Sequence, residues 1–471
     1  MYLDTNANGV CDKGEQGLAQ IPVSNGRDIT LTDARGSYTL PLSEGQAAFP
    51  ILPAEYTLSQ GKALNAAFAQ VYPDAKGRRN FGLKGRKVQR KFRLNAIGDI
   101  QVGNSMELNY LCQTLWPELM EADSACTNLF LGDLVNNNLA LYKPIRQLIE
   151  ALPSPSWTLP GNHDRDADTL RWRQTRSYSA TFGPPAYAFN QGDVHFIVLN
   201  NVYGDGARGY HGEIDRAQLD FIKADLQLVP KHKLVCIATH IPLATTRNRN
   251  HVLDLLAGRK QALALSGHLH RVHRWLYSKP GISVHELGTG AACGFWWVGE
   301  RGWDGVPSAL QQGGTPRNYF VIDFDSTAYH FRVKGIGLDR QRQMAIHIAG
   351  IDTLDSHLRD LKEAQTRRAL ITIWGGCDAT EVLCRVDKGP WQAAIKVEEV
   401  APDVARTREM NLIKAYPTPY NRTNPMRAKP SVQLWAYPLT GENATGAHTI
   451  EVKAQDDYGL RAGGKRAYTY P

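Results

Sequence analysis

Leu129-Phe130-Leu131-Gly132-Asp133 is an apolar run that breaks on a glycine and a carboxylate. A β-rich stretch ending this way places the acid where a strand gives out into a loop. The pattern recurs along the chain. Phe92 to Ile97 lead to Asp99-Ile100-Gln101, and Leu234 to Ala238 lead to Thr239-His240. Gly161-Asn162-His163-Asp164 and Gly267-His268-Leu269-His270 complete the set, and Asn136 to Asn138 follow Asp133. Groups carried at strand ends converge along one edge of a sheet, where α/β proteins build sites. Carboxylate, amide and imidazole together are the mixed oxygen and nitrogen donors that first-row divalent metals take.

Between these stretches the apolar spacing predicts helices at Ser105 to Leu115, Leu139 to Leu152, Ala167 to Tyr178 and Asp215 to Gln227. The last has Leu219, Ile222 and Leu226 on one face. Strands alternating with helices make residues 91–335 a layered α/β domain. His268 and His270, two apart, fall on one face of a plain strand.

The flanks read differently. Residues 1–90 are expected to be all-β, with strands at Ile29 to Thr32, Gly36 to Leu40 and Tyr56 to Leu58. At the start, Asp4, Asn6, Asn8, Gly9, Val10, Asp12 and Glu15 occupy the spacing of an EF-hand-type calcium loop, so calcium is expected there. Alternate oxygen donors wrap a hard cation, Gly9 permits the sharp turn, and Glu15 offers two oxygens. No helical pattern flanks this loop. It resembles the calcium-loop start of bacterial surface β-sandwich modules. Residues 336–471 return to short strands at Leu370 to Trp374, Glu381 to Val386, Ser431 to Tyr437 and His448 to Lys453, a second β-sandwich.

Composition bounds the partners. A chain of 471 residues exceeds one ordinary core. It has no apolar run long enough to span a membrane. The formal net charge of +8 favours anionic partners, but it is spread out, and the basic stretch Lys84 to Arg93 reads as a solvated linker. Nothing singles out nucleic acid, and oligomeric state is not legible. Seven cysteines form no Cys-x-x-Cys pair; Cys377 with Cys384 and Cys112 with Cys126 are candidate disulfides, with free buried thiols as the alternative.

The five ordered stretches resemble the motif set of the calcineurin-like metallophosphoesterases, and the β flanks resemble a bacterial three-domain branch of that family. The resemblance implies a layered β-sandwich catalytic domain between two all-β domains. It implies that Asp99, Gln101 and His270 bind one metal, that Asn162, His240 and His268 bind a second, and that Asp133 bridges both. A metal-bridging hydroxide is then the nucleophile of a phosphoester hydrolase. His163 stands over the substrate, stabilising the phosphoryl oxygens and protonating the leaving group, and Asp164 orients it. Many members carry His where this chain has Gln101. An amide oxygen is harder than imidazole and shifts the expected metals from Zn toward Mn and Fe, Mn foremost. No tyrosine lies between Leu134 and Asn138, so an iron–tyrosinate colour is not expected.

On the substrate side, Trp296, Trp297 and Trp303 on a Gly- and Trp-rich loop are candidate walls for a ring-bearing leaving group. Asn137 and Arg208 are candidate substrate contacts, with Tyr203 and His211 on the loop of Arg208. His195 and His273 are read as structural. The expected substrate is a phosphorylated small molecule or surface group. One alternative keeps the site and makes the substrate a nucleotide-type pyrophosphate linkage. A second, of another class, is an inactive surface-binding protein. Met1-Tyr2-Leu3-Asp4 runs straight into a strand-like segment, as though a signal peptide had been removed, so an extracytoplasmic location, periplasmic or secreted, is expected.

Overall fold

The computed structural model of the protein describes residues 1–59, 69–70, 79–121, 126–168, 170–206, 209–352, 367–414 and 427–470. Two sheets pack face to face in the middle of the chain. The first runs in the order Ser156–Thr158, Cys126–Phe130, Lys91–Ile97, Asn318–Asp325, Ala328–Gly335. Its first three strands are parallel and the last two antiparallel. The second runs Tyr187–Gln191, Val194–Val198, Leu234–Ala238, Gln261–Ser266, Ile282–Thr289, Val272–Lys279, and its four inner strands are parallel.

Parallel strands covered on both faces are apolar along their whole length, and Val194–Val198 and Leu234–Ala238 are buried at every residue. Leu94, Ala96, Leu129 and Leu131 from the first sheet meet Phe196, Ile237 and Leu265 from the second in one core. Outside the first sheet, Ile97 and Phe130 pack on the helix Ser105–Met120. Asn104 caps that helix, accepting from the Glu107 amide. It runs on through Pro117, past the expected end at Leu115, because Trp116 and Leu119 extend the buried stripe. The helix Arg216–Leu228 lies against the second sheet, burying Phe221, Ile222 and Leu226.

Several expectations need correction. The Ala167 to Tyr178 stretch is not one helix: a 3-10 turn at Arg171–Thr175 precedes a short helix at Arg176–Phe182. Gly36 to Leu40 form no strand, since the Asp33 carboxylate accepts from the amides of Arg35 and Ser37 and closes a turn there. The final-domain strand starts at Leu434, not Ser431. The basic stretch is a linker only over residues 86–90, because Lys84 lies in Gly82–Gly85 and Lys91–Ile97 has begun. All seven cysteines are free thiols. His195, fully buried, bonds Asp225 at 2.6 Å and Asn190 at 3.0 Å, which accords with a structural role.

A three-stranded and a four-stranded sheet precede the two central layers, and two four-stranded sheets follow them. The observed architecture is thus an α/β centre between two mainly β parts, and the last of these is not all-β as expected, since it includes the helix Pro402–Leu412. Among the described residues no helix is long and apolar enough to cross a membrane.

Candidate metal centre

The residues singled out along the chain come together at one end of the two sheets. Asp99 and Gln101 follow Lys91–Ile97, Asp133 follows Cys126–Phe130, and His240 follows Leu234–Ala238. His268 and His270 are not on a strand. They lie in the bend between Gln261–Ser266 and Val272–Lys279, both with left-handed backbone, φ 74° and 48°. Asp99, Gln101 and Asp133 are left-handed too, at φ 45°, 37° and 49°. Such φ values are costly for residues with a Cβ and collect at functional sites. Strand ends alone would aim these side chains to alternating faces; the reversals turn them inward together.

The loops interlock tightly. The Gln101 amide donates to the Asp133 carbonyl at 2.8 Å. The His268 amide donates to Asp99 Oδ2, and the His163 amide to Asp133 Oδ1, both at 2.8 Å. Two glycines make room for this. A Cβ on Gly161 would stand 2.1 Å from Asp133 Oδ1, and one on Gly267 2.5 Å from Asp99 Oδ2.

Donor chemistry supports a cation. His240 Nδ1 donates to the Leu131 carbonyl at 2.8 Å, so in the neutral ring Nε2 is a lone pair. That Nε2 faces Asn162 Oδ1 at 3.0 Å and Asp133 Oδ2 at 3.4 Å. Three acceptors facing one another need a proton or a metal between them. His270 repeats the arrangement: Nδ1 donates to the Gly294 carbonyl at 2.6 Å, leaving Nε2 3.6 Å from Asp99 Oδ1. Asp99 Oδ1 is buried and receives no hydrogen bond, and Gln101 Nε2 is buried without a partner. Exchanging the two amide atoms would make the unpartnered buried atom of Gln101 an oxygen. Asp133, His240 and His268 each present a ligand atom, all within 4.8 Å of one another. The residues fit bound metal.

Without a cation, a proton on His240 would stand between these acceptors, while His268 and His270 stay neutral. Burial raises the Asp99 carboxyl well above its usual range, more than His240 can offset. Burial opposes the charged form of Asp133 as well, but His240 and the His163 amide hold its carboxyl below the normal value. Burial lowers His240, yet the Asp133 and Asp99 charges outweigh this and raise it to about 9. Burial takes His268 down to about 3 and His270 to about 4. Neutral imidazoles are the ligand form.

Asp164 does not orient His163. Its carboxylate accepts from the amides of Leu134 and Gly161 at 3.0 and 2.8 Å and from the Tyr142 hydroxyl at 3.2 Å. It therefore ties the Asp133 loop to the Asn162 loop, while His163 Nδ1 is buried without a partner. Tyr142 was not legible as a site residue, since it sits on a helix that otherwise reads as ordinary.

Trp297 is also corrected. It is 3% exposed, donates its indole N–H to the Ile100 carbonyl at 3.2 Å and packs on Tyr110. It supports the Asp99 loop from the core and forms no wall. Trp296 is 36% exposed and stacks on His270 at 4.5 Å, while Trp303 is fully exposed. Trp297→Ala is expected to lower unfolding free energy by about 3–5 kcal/mol. Trp296→Ala is expected to cost less than about 1 kcal/mol. Urea unfolding of both variants checks this, and equal losses would contradict the assignment. Asn137 is exposed behind Asp133, with φ 61°. Tyr203 and His211 pair across a hairpin, and Arg208 lies outside the described residues.

In the N-terminal loop, Asp4 accepts from the amides of Asn8 and Gly9, and the Glu15 oxygens from those of Thr5 and Asp12. The Asn6 and Asn8 side-chain amides both donate to Asp12 Oδ2 at 2.8 Å. The oxygen donors are gathered around one turn.

Family comparisons agree with this layout. The description "N terminal of Calcineurin-like phosphoesterase" matches residues 5–86, "Calcineurin-like phosphoesterase" 92–272, and "C terminal of Calcineurin-like phosphoesterase" 286–461. A curated relative, a probable glycerophosphodiester phosphodiesterase GpdQ of Arcobacter nitrofigilis, is 24% identical over 163 residues, 32% of this chain. The chain spans 59% of that relative's length. Among solved structures, purple acid phosphatase PPD1 from yellow lupin (Lupinus luteus) seeds is similar at TM-score 0.37 and 12% identity, covering 67% of each chain. Vps29 of Chaetomium thermophilum is similar at TM-score 0.23 and 15% identity, covering 52% of this chain and 97% of that one. Matched successively along nearly its whole length, the chain belongs to the calcineurin-like phosphoesterase family, a family of metal-dependent phosphoester hydrolases.

Proposed function

We propose that the protein is a dinuclear metal-dependent phosphoester hydrolase, with Asp99, Gln101 and His270 holding one cation, Asn162, His240 and His268 the other, and Asp133 shared. The observation that carries this reading is the buried cluster of ligand-type nitrogen and oxygen atoms facing one another, centred on His240 Nε2, Asn162 Oδ1, Asp133 Oδ2 and the unpartnered Asp99 Oδ1. Two cations held there would supply a water of lowered pKa and positive charge for the phosphoryl group. The chain's own residues do the rest. Leu131 and Gly294 carbonyls fix the tautomers of His240 and His270. Asp164 holds two ligand loops in register. His163, lowered by burial and lacking a partner at Nδ1, has an imidazole suited to proton transfer at the leaving group. Gln101 favours Mn or Fe over Zn in the first position. The β loop at Asp4 to Glu15 is proposed to take calcium, supporting an extracytoplasmic setting. Sheet membership supports dividing the chain at 90 and 335.

Hydrolysis of p-nitrophenyl phosphate and bis-p-nitrophenyl phosphate should disappear on chelation. It should return with Mn²⁺, with two ions per chain by elemental analysis. A chain that binds no transition metal and stays inert with Mn²⁺, Fe²⁺ and Zn²⁺ would support the surface-binding alternative instead.

A further inference from the structure

One cation beside the proposed centre makes no ion pair among the described residues, its nearest charges being the more distant Asp133 and Asp205. Arg165 is on the loop of Asn162 and His163, and its Nε donates to the Asn162 carbonyl at 3.2 Å. One terminal nitrogen donates to the Gly209 carbonyl at 3.3 Å, and the guanidinium lies 5.5 Å from the centre of the Tyr210 ring. Tyr210 in turn sets its edge against His268, ring centres 5.7 Å apart. These contacts are to carbonyls and a π face, and no carboxylate lies within ion-pair distance among the described residues. The nearest acid on the hairpin is committed elsewhere: Asp205 binds His211 Nδ1 at 2.6 Å, and Glu213 takes the other ring nitrogen at 2.9 Å.

The hairpin is shaped around this side chain. Val202–Asp205 pairs with Gly209–Gly212, with Gly204 opposite Tyr210. A Cβ on Gly204 would stand 2.3 Å from the Arg165 terminal nitrogen and 2.7 Å from Gln174 Oε1. An arginine fork held by carbonyls, half-buried and without an anion, is preorganised for an anionic ligand. It lies three residues beyond the proposed ligand Asn162, and Tyr210 links it to the proposed ligand His268, so it borders the proposed metal centre.

We infer that Arg165 takes a second phosphate of the substrate, making a pyrophosphate linkage the preferred class; this rests on the dinuclear hydrolase reading above. Hydrolysis adds one water across the P–O–P link. The water oxygen joins the attacked phosphorus, the bridging oxygen leaves with the other phosphate and gains a proton, and two monophosphates result.

The test is a ratio: kcat/KM for diadenosine 5′,5′-pyrophosphate over kcat/KM for bis-p-nitrophenyl phosphate, with Mn²⁺. Arg165→Gln is expected to lower that ratio about 10- to 100-fold, the range for losing a charge-assisted hydrogen bond. Arg165→Lys should fall between. Gly204→Ala, which displaces the guanidinium without removing it, should lower the ratio in the same direction. An unchanged ratio in folded Arg165→Gln overturns the assignment. So does a native protein that cleaves the diester but not the pyrophosphate, and either result leaves the hydrolase reading intact. Native protein inert to both esters with every metal brings down the hydrolase reading, and the assignment with it.

Discussion

Asp133→Ala is expected to lower kcat/KM for bis-p-nitrophenyl phosphate by at least about a thousandfold. Replacing groups that merely support a metal ligand costs roughly 10- to 100-fold, so losing the ligand proposed to serve both ions should cost more. Asp133 is 1% exposed and lies 3.4 Å from His240 Nε2, and its other oxygen accepts the His163 amide. One change therefore removes a shared donor and frees the loop carrying Asn162 and His163. Asp133→Asn separates these effects. Asn keeps the shape, tolerates the φ of 49° better than Ala, and still accepts from His163, but it loses the charge. Both variants should be inactive, with Asn the better folded. Added Mn²⁺ should raise the melting temperature of the native chain and do so much less for either variant, since ligand binding stabilises only where the site survives. A variant retaining a tenth of native activity would rule out Asp133 as the shared ligand.

How far the sequence reading reached follows from what each residue depends on. Strand runs such as Leu234–Ala238 depend on local apolar pattern, and they lie where expected. The ordered ligand types were legible because metal chemistry restricts them. Their backbone was not: nothing local marks Asp99, Gln101 or His270 as left-handed, and that conformation is imposed by amides donating across loops. Trp296 and Trp297 are adjacent and chemically identical, yet one stacks on His270 and the other is buried under Ile100. Asp164 sits in the motif beside His163, but besides the nearby Gly161 its donors come from residues 134 and 142, far along the chain. Arg165 gained its setting only when the hairpin at Gly204 and Tyr210 closed over it. Roles defined by contacts between distant segments escape a reading made along one dimension.

Such a distant contact governs the other large effect. Arg274→Met is expected to destabilise the protein by about 3–5 kcal/mol, the usual cost of removing one partner from a buried ion pair. Arg274 lies four residues past His270, on the catalytic strand Val272–Lys279, and meets Asp456 of the final β part at 2.7 and 3.3 Å. Both side chains are wholly inaccessible. Arg274 also donates to the Gly375 carbonyl at 3.0 Å and to His285 Nε2 at 2.9 Å, so four of its five N–H groups have partners. Without it, Asp456 keeps only neutral donors, the Thr380 hydroxyl and the Tyr458 and Leu460 amides. Asp456→Asn should cost less than Arg274→Met, because the carbonyl and imidazole contacts of the guanidinium survive. The double variant should lose less than the two single losses added together, since the stranded charge is gone. His285 adds a pH dependence that belongs to this joint, beside the same-sign contributions of His268 and His270. Burial first, then the Arg274 charge, holds its pKa well below 6.5, so the ring is neutral in the fold. The unfolded chain binds that proton and the folded one does not. This contribution is present above about pH 6.5 and is lost as pH falls toward the folded value. Urea unfolding at pH 7.5 and 5.5 should show the decline in native protein. It should be smaller in Arg274→Met, where the neighbouring charge no longer opposes protonation. Equal stability of Arg274→Met and native protein at pH 7.5 would mean that the pair contributes nothing to docking the last β part. The joint would then rest on apolar packing, such as that of Phe331 with Leu460, and on neutral hydrogen bonds such as those of Gln433 with Thr315 and Val272.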